Sequence, residues 1–125
     1  FSSAALEIIS ESEALVSNMR HLNISKCYLM DSSVIMPLSK LTQLQVLEMR
    51  SHEWLNASNL PYILVPLPHI RQIDIRNCED FTRSSIEQVK RTFPVEIEVL
   101  ENTKLIDDSE ESIRGYLMAL IAAQV

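Results

Sequence analysis

Apolar residues along this chain follow two spacings in alternation, and the alternation recurs. The segments 19–27, 44–52 and 70–78 each place apolar residues at the first, fourth and sixth positions and Cys or His at the last. They begin 25 and 26 residues apart, a period typical of strand-and-helix solenoids. Within each segment the apolar period is two, which predicts a strand, and between segments it lengthens to about 3.6, which predicts a helix. We therefore predict an α/β solenoid with parallel strands on the concave face and helices on the convex face.

Four helical stretches are predicted around these strands. Residues 5–18 have an amphipathic pattern that predicts one helix leading into a strand at 21–25. Asp31, Ser32 and Ser33 offer N-cap side chains to the second helix. Ser84 and Glu87 form a capping box at the start of the fourth. Three prolines crowd the third stretch, so it has room for only a brief helix from Asn59 to Val65.

A last helix follows the acidic run at 107–111, where the helix dipole favours negative charge. We predict that it is a C-terminal cap that covers the apolar edge of the last repeat. The alternative is an amphipathic helix for a partner or a membrane surface. The residues expected to form its buried stripe are Ile113, Tyr116, Leu117, Leu120 and Ile121.

The length of 125 residues fits one domain covering 1–125. Its predicted repeats are about 5–29, 32–55, 59–81 and 84–102, followed by the cap at 107–125. The first residue is Phe1, and the apolar pattern begins without a polar capping element. We therefore expect a C-terminal fragment of a longer repeat protein.

Charge and hydropathy narrow the range of partners. The net charge of -6 is the wrong sign for a general hold on phosphate backbones, so no nucleic acid is expected. No apolar run reaches the roughly 18 residues of a membrane span, so no membrane is expected either.

Cys27 and Cys78 fall at the same repeat position, two strands apart. Such positions lie ~9.6 Å from each other, too far for a disulfide, so free thiols and a reducing compartment, cytoplasmic or nuclear, are expected. The sequons at Asn23 and Asn56 favour the alternative of secretion. His52 shares the position of the cysteines, but residues stacked ~4.8 Å apart along an axis do not converge on one zinc ion. No metal or other cofactor is expected.

No catalytic constellation is present in the pattern. His21, His52 and His69 occur one per repeat without a nucleophile and a carboxylate at a recognisable spacing, so we expect them on the surface or the rim. The only glycine is Gly115, which excludes a glycine-rich phosphate loop. The sequence therefore favours a binding protein over an enzyme.

Alternation along the strands predicts which polar residues line the concave face. Ile97 and Val99 repeat the places of Ile73 and Ile75, 24 residues later. With that alignment, one column of side chains is acidic and the next is basic at its centre. Either the arginines neutralise the carboxylates, or the face presents both signs to a ligand. The predicted partner-binding residues are His21, Asn23, Ser25, Glu48, Arg50, Gln72, Asp74, Arg76, Glu96 and Glu98. Trp54, just after the second strand, is expected to pack at the rim, and would be a strong anchor for a partner if its ring were free.

The segment 70–86 resembles the cysteine-containing class of leucine-rich repeats, known best from F-box proteins. Cys78, Phe81, Thr82 and Ile86 occupy the places of that pattern. The first repeat matches at Cys27, and the second departs with His52 and its prolines. The resemblance covers about residues 19–102.

This resemblance implies a function in protein recognition. The parent protein would be a substrate receptor of an SCF-type ubiquitin ligase, in which these repeats bind a protein substrate on the concave face. An F-box, which these residues do not contain, would bind the SCF adaptor. The alternative is a leucine-rich repeat sensor domain of a plant-type intracellular immune receptor.

Overall fold

The protein is a mixed α/β structure built on one parallel sheet. The computed structural model describes residues 2–78, 81, 83–93, 98–99 and 110–124. Four short strands lie side by side in chain order. They are β1 (His21–Asn23), β2 (Val46–Glu48), β3 (Gln72–Asp74) and β4 (Glu98–Val99). The α/β class predicted from the alternating periods is confirmed.

The first three strands align as the repeats predict, whereas the fourth does not. Leu22 lies opposite Leu47, and Leu47 lies opposite Ile73. Val99 also lies opposite Ile73, although the sequence pattern assigned that place to Ile97. The predicted alignment of β4 is therefore wrong by two residues.

One face of the sheet belongs to the core. Leu22, Leu47 and Ile73 are buried at the strand centres, and Ile24 and Met49 are fully buried two residues further on. The hydrogen-bond ladder continues past the strands, since Ile24 N donates to Glu48 O at 2.9 Å and Met49 N donates to Asp74 O at 2.8 Å. The period-two prediction is confirmed at these positions.

Each of the first three strands ends in the same left-handed turn. Lys26, Ser51 and Asn77 have φ angles of 59°, 62° and 62°. All three stand immediately before the Cys or His of the repeat. Non-glycine residues rarely adopt this conformation, so its recurrence at one position shows that the three turns are equivalent.

Two helices occupy the stretch for which one was predicted. They are α1 (Ser3–Glu11) and α2 (Glu13–Asn18). Ser12 separates them with extended backbone, and its hydroxyl accepts a hydrogen bond from Leu15 N at 3.3 Å. Its own N–H donates to Ile9 O at 3.1 Å. Ser12 therefore ends one helix and caps the next.

Short helices connect the strands on the buried face of the sheet. A 3-10 turn (Ser32–Val34), N-capped by Asp31, leads into α3 (Ile35–Ser39). The helix α4 (Leu60–Leu64) is as brief as the prolines predict. The helix α5 (Arg83–Thr92) begins before Ser84, so Ser84 lies in its first turn and not at the predicted N-cap. The core that joins these elements includes Leu6, Val34, Leu38, Leu41, Leu44, Leu55, Leu60, Ile63, Ile75, Phe81, Ile86 and Val89.

The last helix, α6 (Glu110–Ala123), contacts α4 and α5. Ala119 is buried, and Leu120 packs against the core. Leu117 and Ile121 are 42% and 63% exposed, so the predicted buried stripe is wrong at both positions. The side chains of Ile113 and Tyr116, together with residues 107–109, lie outside the described part of the chain.

Candidate functional site

The face of the sheet opposite the core, here called the open face, carries the predicted partner-binding residues. His21 and Asn23 are exposed there. Glu96 lies outside the described residues, and Glu98 is described only in its backbone, where it lies opposite Gln72 and not opposite Asp74. The half-buried members are Ser25, Glu48, Arg50, Gln72 and Arg76.

A chain of ionic contacts runs across the open face from β1 to the end of β3. His21 Nε2 lies 2.6 Å from Glu48 Oε2, and an Arg50 terminal nitrogen lies 3.9 Å from Glu48 Oε1. Arg50 Nε lies 3.4 Å from Asp74 Oδ2, which is also 2.7 Å from a terminal nitrogen of Arg76. Two guanidinium groups thus balance two carboxylates. Of the alternatives that the sequence left open, this geometry matches neutralisation of the acidic column by its neighbours.

Asp74 is more enclosed than its place on the open face predicts. Its side chain is only 1% exposed, so neighbouring side chains cover the carboxylate in this arrangement. A direct contact between Asp74 and a partner stays a prediction. Arg76 donates from Nε to both carboxylate oxygens at 3.0 and 3.1 Å. Burial raises the pKa of Asp74, but the hydrogen bonds and positive charge of Arg76, together with the charge of Arg50, outweigh it and hold the pKa below its ordinary value of 3.8.

At the repeat position occupied by Cys or His, the second and third repeats each form a link to the repeat before them. His52 Nε2 donates to Ile24 O at 2.6 Å, and the Cys78 thiol donates to Met49 O at 3.2 Å. Ile24 and Met49 are equivalent residues, 25 positions apart. The Cys or His of one repeat therefore satisfies a backbone carbonyl of the repeat before it. Such a bond matters because an unpaired buried carbonyl is costly.

His52 is buried, so the prediction that the histidines lie on the surface or the rim is wrong for this residue. Its side chain is fixed on both sides of the ring, since Trp54 Nε1 donates to His52 Nδ1 at 3.1 Å. The Nδ1 atom must then be the acceptor and Nε2 the protonated nitrogen. The two rings meet edge to face with centroids 5.7 Å apart. Nothing in the sequence pattern indicates this pair beyond the closeness of the two aromatic residues.

The cysteines and histidines of the described residues form no group of ligands that could hold a metal ion. Both thiols are free of disulfide bonds. Burial raises the pKa of the Cys78 thiol, which keeps it protonated and suits its role as a donor to Met49 O.

Comparisons with protein-family models, with curated proteins and with solved structures give no match for this chain. Among the helices of the described residues, none combines the length and the apolar character needed to cross a lipid bilayer.

Proposed function

We propose that this chain is a leucine-rich repeat solenoid that recognises a protein partner through its open face, as the substrate-recognition part of an F-box type ubiquitin-ligase receptor. An F-box elsewhere in the parent protein would bind the SCF adaptor. The observation that supports the repeat assignment is the link from His52 to Ile24 O and from Cys78 to Met49 O. Equivalent residues make it in successive repeats, as expected when one structural unit recurs along the chain.

The open face supports binding because its polar groups are held in place before a partner arrives. Ser25 Oγ accepts a hydrogen bond from Arg50 N at 2.9 Å, and Arg76 is fixed against Asp74. About a third of the side-chain surface of each arginine, Arg50 and Arg76, is exposed. A fixed polar surface loses little conformational entropy on association. With paired charges, such a face would contribute specificity more than raw affinity.

The test must disturb the open face without breaking the ion pairs beneath it. Reversing the charge of Arg50 or Arg76 would remove one cation from the buried Asp74, place a negative charge beside it and destabilise the fold. Asn23 is a better position, because it is exposed on β1 and its side chain accepts a local hydrogen bond, from Ser25 N at 3.0 Å. The variant Asn23→Arg places a long charged side chain there. The matched control is Asn18→Arg on α2, which also removes one local hydrogen bond from an exposed asparagine.

We expect the full-length protein, tagged and captured from its own cells, to bring down an SCF adaptor and a further protein that is ubiquitinated in its presence. Asn23→Arg should lower recovery of that further protein about tenfold, which corresponds to about 1.4 kcal/mol, and leave the adaptor unchanged. Asn18→Arg should change neither. Equal recovery in both variants would contradict the role of the open face, and absence of the adaptor with the unmodified protein would contradict the F-box assignment.

A further inference from the structure

A pocket of about 410 Å³ opens beside the sheet, where the segments that follow β1 and β2 meet. Its walls include Cys27, Tyr28 and Asp31 from the first segment and Glu53 and Trp54 from the second. It shares none of the residues predicted for the open face. The volume is within the range of pockets that bind small molecules.

Trp54 is held in a defined position in the wall of this pocket. Its indole N–H is bound to His52 Nδ1, and its backbone carbonyl accepts a hydrogen bond from Asn59 Nδ2 at 2.8 Å. His52 is itself fixed by Ile24 O. Because the indole N–H is occupied, Trp54 has no hydrogen bond to offer a ligand. What remains is its π surface, which attracts cations.

The other groups around the pocket have the charge that complements a cation. Asp31 and Glu53 both have exposed side chains, and neither forms an ion pair with another described residue. No lysine or arginine is among the residues that line the pocket. Hydrogen bonds from Ser33 lower the pKa of Asp31, so its carboxylate is charged at neutral pH. Tyr28, with 77% of its surface exposed, adds a second aromatic ring.

We propose that this pocket binds a cationic side chain, a lysine or its methylated form, presented by a peptide. The ammonium group would lie against the π surface of Trp54 and Tyr28, within reach of the Asp31 and Glu53 carboxylates. Met30, which is buried in the pocket wall, would contact the apolar stem of the lysine. This site is separate from the open face, so the proposal of a cation site does not depend on the receptor function proposed above.

An anion or a purely apolar ligand fits the same pocket less well. An anion would meet two carboxylates and no positive side chain, which is repulsive. An apolar ligand would leave the two carboxylates without a positive counter-charge and would gain nothing from the negative faces of the aromatic rings. A methylated ammonium costs less to desolvate than a plain one, so aromatic pockets of this composition favour it.

Trp54 gives a direct measurement, because it is the only tryptophan in the chain. The 125-residue chain would be titrated with a short blocked peptide that contains one trimethyllysine, and tryptophan fluorescence and calorimetry would be recorded in parallel. The same peptide with norleucine is the matched neutral control, since it keeps the stem and lacks the charge. Choline tests a free cation. We expect saturable binding of the trimethyllysine peptide and none of the norleucine peptide.

Variants locate the binding in the pocket. Glu53→Gln removes one exposed carboxylate and should raise the dissociation constant about threefold, as exposed ionic contacts do. Glu87→Gln makes the same charge change on the exposed surface of α5 and should leave the constant unchanged. Tyr28→Ala should weaken binding by a similar factor through loss of one aromatic ring.

The outcomes separate the possible sources of the cation. Binding of the peptide, with or without choline, supports a protein ligand, whereas binding of choline alone would overturn the peptide as the ligand. Equal binding of the norleucine and trimethyllysine peptides would overturn the recognition of charge. If no probe changes the tryptophan fluorescence or produces a heat of binding, the proposal of a binding site in this pocket is refuted.

Discussion

Ile73 is the residue at which the packing of the sheet can be tested most directly. It is fully buried at the centre of β3 and lies opposite both Leu47 and Val99. The variant Ile73→Ala removes three carbon atoms, each worth about 0.8 kcal/mol of burial, or about 2.4 kcal/mol together. If the neighbours do not collapse into the space, the cavity of about 80 Å³ adds about 1.9 kcal/mol. The free energy of unfolding should therefore fall by about 2.5 to 4 kcal/mol.

Urea unfolding followed by circular dichroism measures this loss, with an expected fall in the midpoint of about 2 M. Ile8→Ala is the matched control, because Ile8 is 70% exposed on α1 and the chemical change is the same. Its effect should stay within about 0.5 kcal/mol. A cost below about 1 kcal/mol at Ile73, or equal costs at the two positions, would refute the conclusion that Ile73 is packed in the core.

Two further predictions concern titratable groups. The folded pKa of Asp74 lies below 3.8, so the stabilisation from this carboxylate is present above pH 3.8 and is lost as the pH falls through the lower folded value. The loss of unfolding free energy caused by Asp74→Asn, measured by urea unfolding at several pH values, should thus be largest above pH 3.8 and smaller below it. A loss that increases as the pH falls would contradict the pairing with Arg76. Cys27 is half-buried, whereas Cys78 is fully buried and has a raised pKa. Iodoacetamide should therefore label Cys78 at least about tenfold more slowly than Cys27 in the folded chain, and this difference should disappear on unfolding. Mass spectrometry measures both labelling rates. Equal rates before unfolding would count against the link between Cys78 and Met49 O.

The sequence predicted the parts of the fold that depend on local patterns. Alternation placed Leu22, Leu47 and Ile73 on the buried face. An N-cap was predicted within 31–33, and Asp31 fills that role. These features involve residues close together in the chain. The helix break at Ser12 was missed, because the apolar spacing continues through it and neither proline nor glycine marks it.

Other features were hidden because they depend on contacts between repeats. A strand shifted by two residues keeps the same side chains on each face, so alternation could not distinguish Val99 from Ile97 as the partner of Ile73. The burial of Asp74 results from arginines that fold over it, one of them 24 positions earlier. The pocket beside Trp54 likewise joins two segments from different repeats. Its residues could be found only by comparing the positions that follow each strand.

The link from the Cys or His position to the preceding repeat has a consequence for how such chains can change in evolution. The acceptor is always a backbone carbonyl, at Ile24 for His52 and at Met49 for Cys78. A backbone acceptor is present whatever side chain occupies that position. A unit of 25 or 26 residues can therefore be duplicated or deleted by recombination without a compensating substitution at the junction, provided that the incoming unit supplies a donor at its own Cys or His position. The number of repeats is then free to vary.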